Sequence, residues 1–260
     1  MDKEENNALT EGLSIIIPCL NEERFIGTLL ACLARQTFQN FDAIVVDGFS
    51  EDKTKEAVER IVARYPTLKD KVRFVPSPTK GVAAQRNEGA RLARFERMVF
   101  FDADVQMPDT FLAYALADIQ KHDLDLATSV FEPISSRVDD WILYRIGNLY
   151  LQAKQFISPG AMGFCIFSTK EVHKAIGGFD ETLKLSEDMD YVERAAKLDI
   201  SFRILTKEPV YISIRRLNKE GRFTYYKKAL WAELLAYVKD KKELGKSIEY
   251  EFGNYDKVAK

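Results

Sequence analysis

Histidine and cysteine are scarce in this chain, with two and three residues among 260. His122 ends a helical stretch and His173 lies on a surface helix, so both are expected to be structural. Cys19, Cys32 and Cys165 are dispersed and odd in number, which gives neither a disulfide framework nor zinc-ligand spacing and points to a reducing compartment. Charge of one sign is also missing. Lys and Arg total 38 against 40 Asp and Glu, for a net charge of -2, whereas a nucleic-acid binder would show a basic excess. No apolar run approaches the length of a membrane span, and the opening MDKEENNALTEG is polar and acidic, unlike a signal peptide. The expectation is a soluble cytoplasmic protein, with a peripheral position on the cytoplasmic membrane face left open. No internal repeat, low-complexity tract or Gly/Pro-dense linker divides the chain.

What is present is a 46% hydrophobic composition, enough for one well-filled α/β domain with an appended helical segment. Short apolar runs at Leu13–Pro18, Ala43–Asp47, Val72–Val75 and Met98–Phe101 read as strands. Helical spacing follows each run. It is carried by Phe25, Ile26, Leu29, Leu30 and Leu33, then by Ala57, Val58, Ile61, Val62 and Tyr65 with Asp52 as the cap. Residues 81–93 make the next helix, and the one after carries Phe111, Leu112, Ala115, Leu116 and Ile119. Strands alternating with helices at this pitch predict parallel strands with right-handed crossovers. The pattern changes after Phe131. A long amphipathic helix is expected at 137–156, a strand at Cys165–Ser168 and an acidic-headed helix at Ser186–Leu198. Short strands follow at Phe202–Leu205 and Val210–Ile214, and a second amphipathic helix at 222–246. The divisions read as a polar tail 1–11, a main domain 12–216 and a helical extension 217–260.

The chemistry-bearing residues gather where strands end. In MVFFDADVQMP, Asp102 and Asp104 stand two apart, and side chains at i and i+2 of an extended chain point the same way. Paired carboxylates suit a divalent cation carrying phosphates, because hard oxygens hold Mg²⁺ or Mn²⁺ while the substrate supplies the remaining ligands. PCLNEE (Pro18–Glu23) and DGFSED (Asp47–Asp52) end two further strands in the same manner, and GVAAQRNEG (Gly81–Gly89) starts a helix carrying Arg86. In open α/β sheets ligands bind outside the carboxyl ends of the strands. Taken singly, Asp47 reads as a turn or cap residue and Arg86 as part of a solvated helix face. Together they imply a site.

These strings resemble the inverting glycosyltransferases of family 2. SIIIPCLNEE, VVDGFSEDKT, GVAAQRNEGA, FFDADV and GGFDETLKLSEDMDYVERAAKLD follow the family's order over roughly residues 12–216. The resemblance implies a GT-A fold, a Rossmann-like α/β architecture with a mixed, mostly parallel sheet flanked by helices and a C-terminal amphipathic helix. It implies transfer of a sugar from a nucleotide diphosphate, most often a UDP-sugar, to a glycan or lipid-linked hydroxyl, with Mn²⁺ or Mg²⁺. By match to the motifs, Pro18, Asn21 and Glu22 would line the nucleotide cleft, Asp47 would bind the base, and Arg86 would help hold the nucleotide. Asp102 would touch the ribose or metal, and Asp104 would ligate the metal. Asp188 would be the base that accepts the acceptor's proton, with Glu187 shaping the acceptor site; the plainer account makes both N-terminal helix acids favoured by the dipole. Gly160 and Gly163 in SPGAMGF mark a close backbone approach to donor sugar or acceptor, or two ordinary turns. Arg215 and Arg216 resemble a basic pair near the diphosphate, or are surface charges. The chain departs from GT-A enzymes that recruit a later histidine to the metal, since neither histidine lies in that region.

Three other functions remain as alternatives. Transfer to a polyprenyl phosphate would need little help from a base. A nucleotide-sugar-binding regulator would keep the cleft without chemistry. A sugar-phosphate nucleotidyltransferase shares this sheet type, but Pro18–Glu23 contains no glycine for its phosphate loop. The aromatic and basic helices at 137–156 and 222–246 fit a membrane interface, or else cover the sheet or form a dimer contact. Oligomeric state is open at this level.

Overall fold

A computed structural model describes residues 12–157, 159–183, 185–222 and 224. The polar tail 1–11 lies outside the described residues, as does the segment 222–246 apart from Arg222 and Thr224. The first half follows the expected alternation. Strands β1 (Leu13–Cys19), β2 (Phe41–Asp47), β3 (Val72–Pro76) and β4 (Arg97–Phe101) alternate with helices α1 (Ile26–Ala34), α2 (Thr54–Arg64) and α3 (Val82–Leu92). Then come α4 (Phe111–Lys121), β5 (Leu126–Pro133), α5 (Val138–Lys154), β6 (Cys165–Thr169), α6 (Lys170–Ala175), α7 (Glu187–Ala195), β7 (Phe202–Ile212) and α8 (Arg215–Glu220). The expected boundary at 216/217 falls inside α8.

The seven strands form one sheet in the order β3-β2-β1-β4-β6-β5-β7. β2 is parallel to both β1 and β3, β4 is parallel to β1, β6 is antiparallel to both β4 and β5, and β5 and β7 are parallel. The chain builds outward from β1 through β2 to β3, then returns to the other side of β1 for β4. Their carboxyl ends therefore diverge into a crevice, the switch point of a doubly wound sheet.

Alternation on β1 feeds two cores. Ile15 and Ile17 pack toward α1, α2 and α4, and Ile16 packs toward α3, α6 and α7. Helix α3 sits unusually close to the sheet: a Cβ on Gly89 would stand 2.3 Å from Ile16 Cγ2. Phe100, Phe179 and Tyr191 knit the second core, with Phe179 stacked on Tyr191 at 4.2 Å between ring centroids.

The structure corrects several expectations. β5 is absent from the strands read from sequence, and the two short strands after residue 200 are one, β7. Its pairing with β5 skips register between Ser129 and Phe131, where Thr206–Pro209 bulge out of the ladder and interrupt the apolar pattern. The cap position of α2 belongs to Lys53, with Asp52 Oδ1 accepting from Thr54 N–H at 3.0 Å. Cys19, Cys32 and Cys165 are buried free thiols. Helix α5 lays Tyr144 on the core and leaves an outer stripe of Ile142, Ile146, Leu149 and Tyr150 exposed. Among the described residues no helix is long and apolar enough to cross a membrane.

His173 lies on a helix with only Val172 fully buried, and is itself half-buried and structural. Its Nδ1 lies 3.1 Å from the Tyr191 hydroxyl and its ring stacks on Phe100. Burial, helped by the nearby Arg194 charge, lowers its pKa from 6.5 to about 4. The unfolded chain takes up this proton near pH 6.5 and the folded chain only near 4, so stability falls as pH falls through that window. Between pH 6.5 and 4.5 the wild type should lose about 2 kcal/mol more than His173→Gln, measured by urea unfolding at each pH.

Candidate active site

Two loops wall the crevice on the β1–β2 side, and side-chain to backbone hydrogen bonds zip them together. Asn21 N–H donates to Ser50 Oγ and Glu22 N–H to Thr54 Oγ1, each at 2.8 Å. In return Asn21 Oδ1 accepts from Glu51 N–H at 2.8 Å and Glu23 Oε2 from Lys53 N–H at 2.9 Å. Asn21 adopts the left-handed conformation, φ 56°, that its short amide side chain tolerates. Such loops have few other partners for their backbone groups, which explains the run of Asn, Ser, Asp and Thr.

Helix α3 floors the crevice, and three consecutive side chains reach three separate elements. Gln85 Nε2 donates to Cys19 O at 2.6 Å and Val46 O at 2.7 Å, closing the ends of β1 and β2. Arg86 Nη1 donates to Glu187 Oε1 at 2.8 Å, and Nη2 to Asp102 Oδ1 at 3.0 Å and Gly163 O at 3.3 Å. Asn87 accepts from Phe179 N–H at 2.8 Å and donates to Phe179 O at 2.9 Å. That fixes the GGFDE turn, where Gly177 and Gly178 take φ of 75° and 76°.

The far wall comes from the second half of the chain. Ser186, left-handed at φ 60°, starts α7 and delivers Glu187 and Asp188. Asp188 Oδ2 accepts from Gly163 N–H at 2.6 Å and Oδ1 from Met189 N–H at 2.7 Å. A two-bond bridge between Gln106 and Tyr211 draws the end of β7 over the DAD segment. Arg215 therefore pairs bidentately with Glu22, reaches Asp104 Oδ2 at 3.2 Å and lies over the Phe25 ring at 4.5 Å.

A cleft of about 260 Å³ results. Eight of the residues singled out from sequence line it: Pro18, Glu22, Asp102, Asp104, Gly163, Asp188, Arg215 and Arg216. Asn21, Asp47, Glu187 and Gly160 sit outside that lining, and so does Arg86, which lies beneath it and is only 2% exposed. Asp47 Oδ1 is buried without a hydrogen-bond partner at the end of β2, while Oδ2 accepts from Ser50 N–H. The close approach at Gly163 is to Arg86 and Asp188, and at Gly160 to the Met189 side chain. Tyr144, Met162, Phe164 and Ser213 also line the cleft and were not anticipated. None carries a chemical signature, and only the aromatic content of 137–156 hinted at Tyr144.

The site holds more acid than its arginines neutralise. Burial raises Glu22 to about 7 against the pull of Arg215. Burial raises Asp104 to about 6, with Asp102 adding to it. Burial and the neighbouring Glu187 raise Asp188 to about 7. Arg86 moves the other way: burial pulls it down, but Asp102, Glu187 and Asp188 outweigh that and hold its pKa up. A surplus of hard carboxylate oxygens facing one cleft is the donor chemistry of a Mg²⁺ or Mn²⁺ site. Asp102 and Asp104 fit such an ion with a diphosphate and water completing its shell. No cluster of three or more His, Cys, Asp or Glu poised to hold a metal occurs among the described residues.

Comparison with known proteins agrees with this geometry. Residues 14–176 match the family model described as glycosyl transferase family 2. The chain is 30% identical over 220 residues to the amylovoran biosynthesis glycosyltransferase AmsB of Erwinia amylovora, covering 80% of this chain and 72% of that protein. It spans only 15% and 22% of two longer relatives that it also matches. The solved structure of Staphylococcus aureus TarS 1-349 in complex with UDP shares its fold, with a TM-score of 0.62 at 23% identity over 78% of this chain and 60% of that one. The mannosyltransferase PcManGT of Pyrobaculum calidifontis, in complex with GDP-Man and Mn²⁺, shares it with a TM-score of 0.63 at 21% identity over 85% and 65%.

Proposed function

The chain belongs to glycosyl transferase family 2 and is a glycosyltransferase, and we propose that it moves a sugar with inversion from a UDP-sugar to a hydroxyl of a glycan or lipid-linked acceptor, with Mn²⁺ or Mg²⁺. One observation carries this most: Asp188, delivered by α7, opens onto the same cleft as Asp102 and Asp104 at the end of β4. Donor acids and a base candidate therefore face a single reaction volume.

In this reading Asp47, with its unpartnered buried oxygen, accepts from the base, and Pro18, Asn21 and Glu22 form the wall of the nucleotide site. Asp104, with Asp102, holds the cation, which when bound neutralises charge on the leaving diphosphate. Arg215 and Arg216 face that diphosphate. The acceptor oxygen attacks the anomeric carbon on the face opposite the leaving group and gives its proton to Asp188. The sugar–phosphate bond breaks, and its electron pair leaves with the nucleoside diphosphate. Glu187 keeps Asp188 basic through its charge and Gly163 N–H aims it. The exposed apolar stripe of α5 supports a peripheral contact with a membrane carrying the acceptor.

Three outcomes test this. Thermal shift with UDP-sugars should show stabilisation that needs Mn²⁺ and disappears in Asp104→Ala, whereas stabilisation by GDP-sugars alone would replace the donor class. Asp188→Asn should lower kcat by about 10²–10⁴ while UDP still binds; survival of activity would favour a polyprenyl phosphate acceptor. The wild-type kcat/KM should rise about tenfold per pH unit below 7 and level off above it, because only the ionised Asp188 of the free enzyme accepts the proton. For the membrane contact, Ile142→Asp/Ile146→Asp should reduce co-sedimentation with anionic liposomes at low salt; a wild type that stays in the supernatant would remove it.

A further inference from the structure

We propose that Arg86 is a positioning residue: it spaces the donor wall from the base loop and does not touch the nucleotide. This deepens the reading above and rests on its placement of Asp102 and Asp188. A nucleotide-gripping arginine should open onto the cleft. Arg86 does not line it, and the Phe179 ring lies 5.2 Å from its guanidinium carbon.

Its two terminal nitrogens are committed elsewhere. Nη2 holds Asp102 at the end of β4 and the carbonyl of Gly163, and Nη1 holds Glu187 at the start of α7. Gly163 then passes the constraint on, since its N–H donates to Asp188 Oδ2 at 2.6 Å. A continuous path therefore runs Asp102–Arg86–Gly163–Asp188, through one rigid planar fork and the backbone of one residue. The fork itself is anchored, because Gln85 and Asn87 on either side are hydrogen-bonded to the strand ends and to the Phe179 turn. Position 163 admits only glycine without a shift: a Cβ there would stand 2.3 Å from Arg86 Nη2 and 3.3 Å from Asp188 Oδ2.

Lysine at 86 is a point donor that cannot hold both walls at once, whereas Gly163→Ala keeps every charge and pushes on the strut alone. The test compares wild type, Arg86→Lys, Arg86→Gln and Gly163→Ala, measuring kcat, donor KM, and UDP affinity by calorimetry, which needs no turnover. The strut predicts kcat lowered about 100-fold in Arg86→Gln and Gly163→Ala, partly restored in Arg86→Lys, with donor KM and UDP Kd within about threefold of wild type. A tenfold or larger rise in UDP Kd for Arg86→Lys with kcat retained would place Arg86 on the nucleotide and overturn the proposal. Unchanged kcat in both Gly163→Ala and Arg86→Lys would overturn it too. A wild type that turns over no nucleotide-sugar defeats the functional reading beneath it, a different failure from either of these.

Discussion

One buried positive charge beneath a bowl of acid is what the cleft depends on. Asp102 and Glu187 arrive from different halves of the chain, and two carboxylates brought this close repel unless something cationic stands between them. Arg86 is that group, with a side chain 2% exposed and a charge-assisted bond to each. Removing one partner of such a buried pair typically costs about 3–5 kcal/mol, because the other charge is left uncompensated. Arg215 repeats the device at the cleft mouth, holding Glu22 and Asp104 together. Each arginine joins a segment from the first half of the chain to one from the second, so ion pairs as well as the sheet set the width of the crevice.

The two arginines do not balance the five acids around them. Glu22, Asp104 and Asp188 all have pKa values raised chiefly by burial, so the empty fold would be more stable with these groups neutral or absent. Burial-raised acids gathered in one cleft are the pattern of a functional site. Elsewhere the cores are conventional. Ser14, buried on β1, is paired by donating to Asp42 at 2.6 Å.

Much of this was legible because strands buried on both faces announce themselves. LSIIIP, AIVVD and MVFF were recognisable, and their polar ends followed directly. β5 was not, since Leu126–Pro133 mixes in Thr128 and Ser129, which are buried and look like ordinary surface residues in sequence. Thr128 is satisfied by donating to Cys165 O at 2.6 Å, a partner 37 positions away. The direction of β6 was equally hidden, because it depends on the path of α5 and the following loop. Arg86 shows the limit most sharply: its partners lie 16 and 101 positions away, so a helix charge could be read only as solvated or as ligand-facing. The partner of His173 was hidden for the same reason, Tyr191 lying 18 residues later.

The pair between Arg222 and Asp140 has a consequence of its own. Asp140 is fully buried in the first turn of α5, and the guanidinium grips both its oxygens at 2.8 Å. The chain is thereby moored beside the helix that supplies Tyr144 to the cleft, close to the point where the described residues end. Losing Arg222 would leave that carboxylate buried without its cation at the start of a helix that lines the cleft, so the pair couples the setting of α5 to a residue 82 positions later.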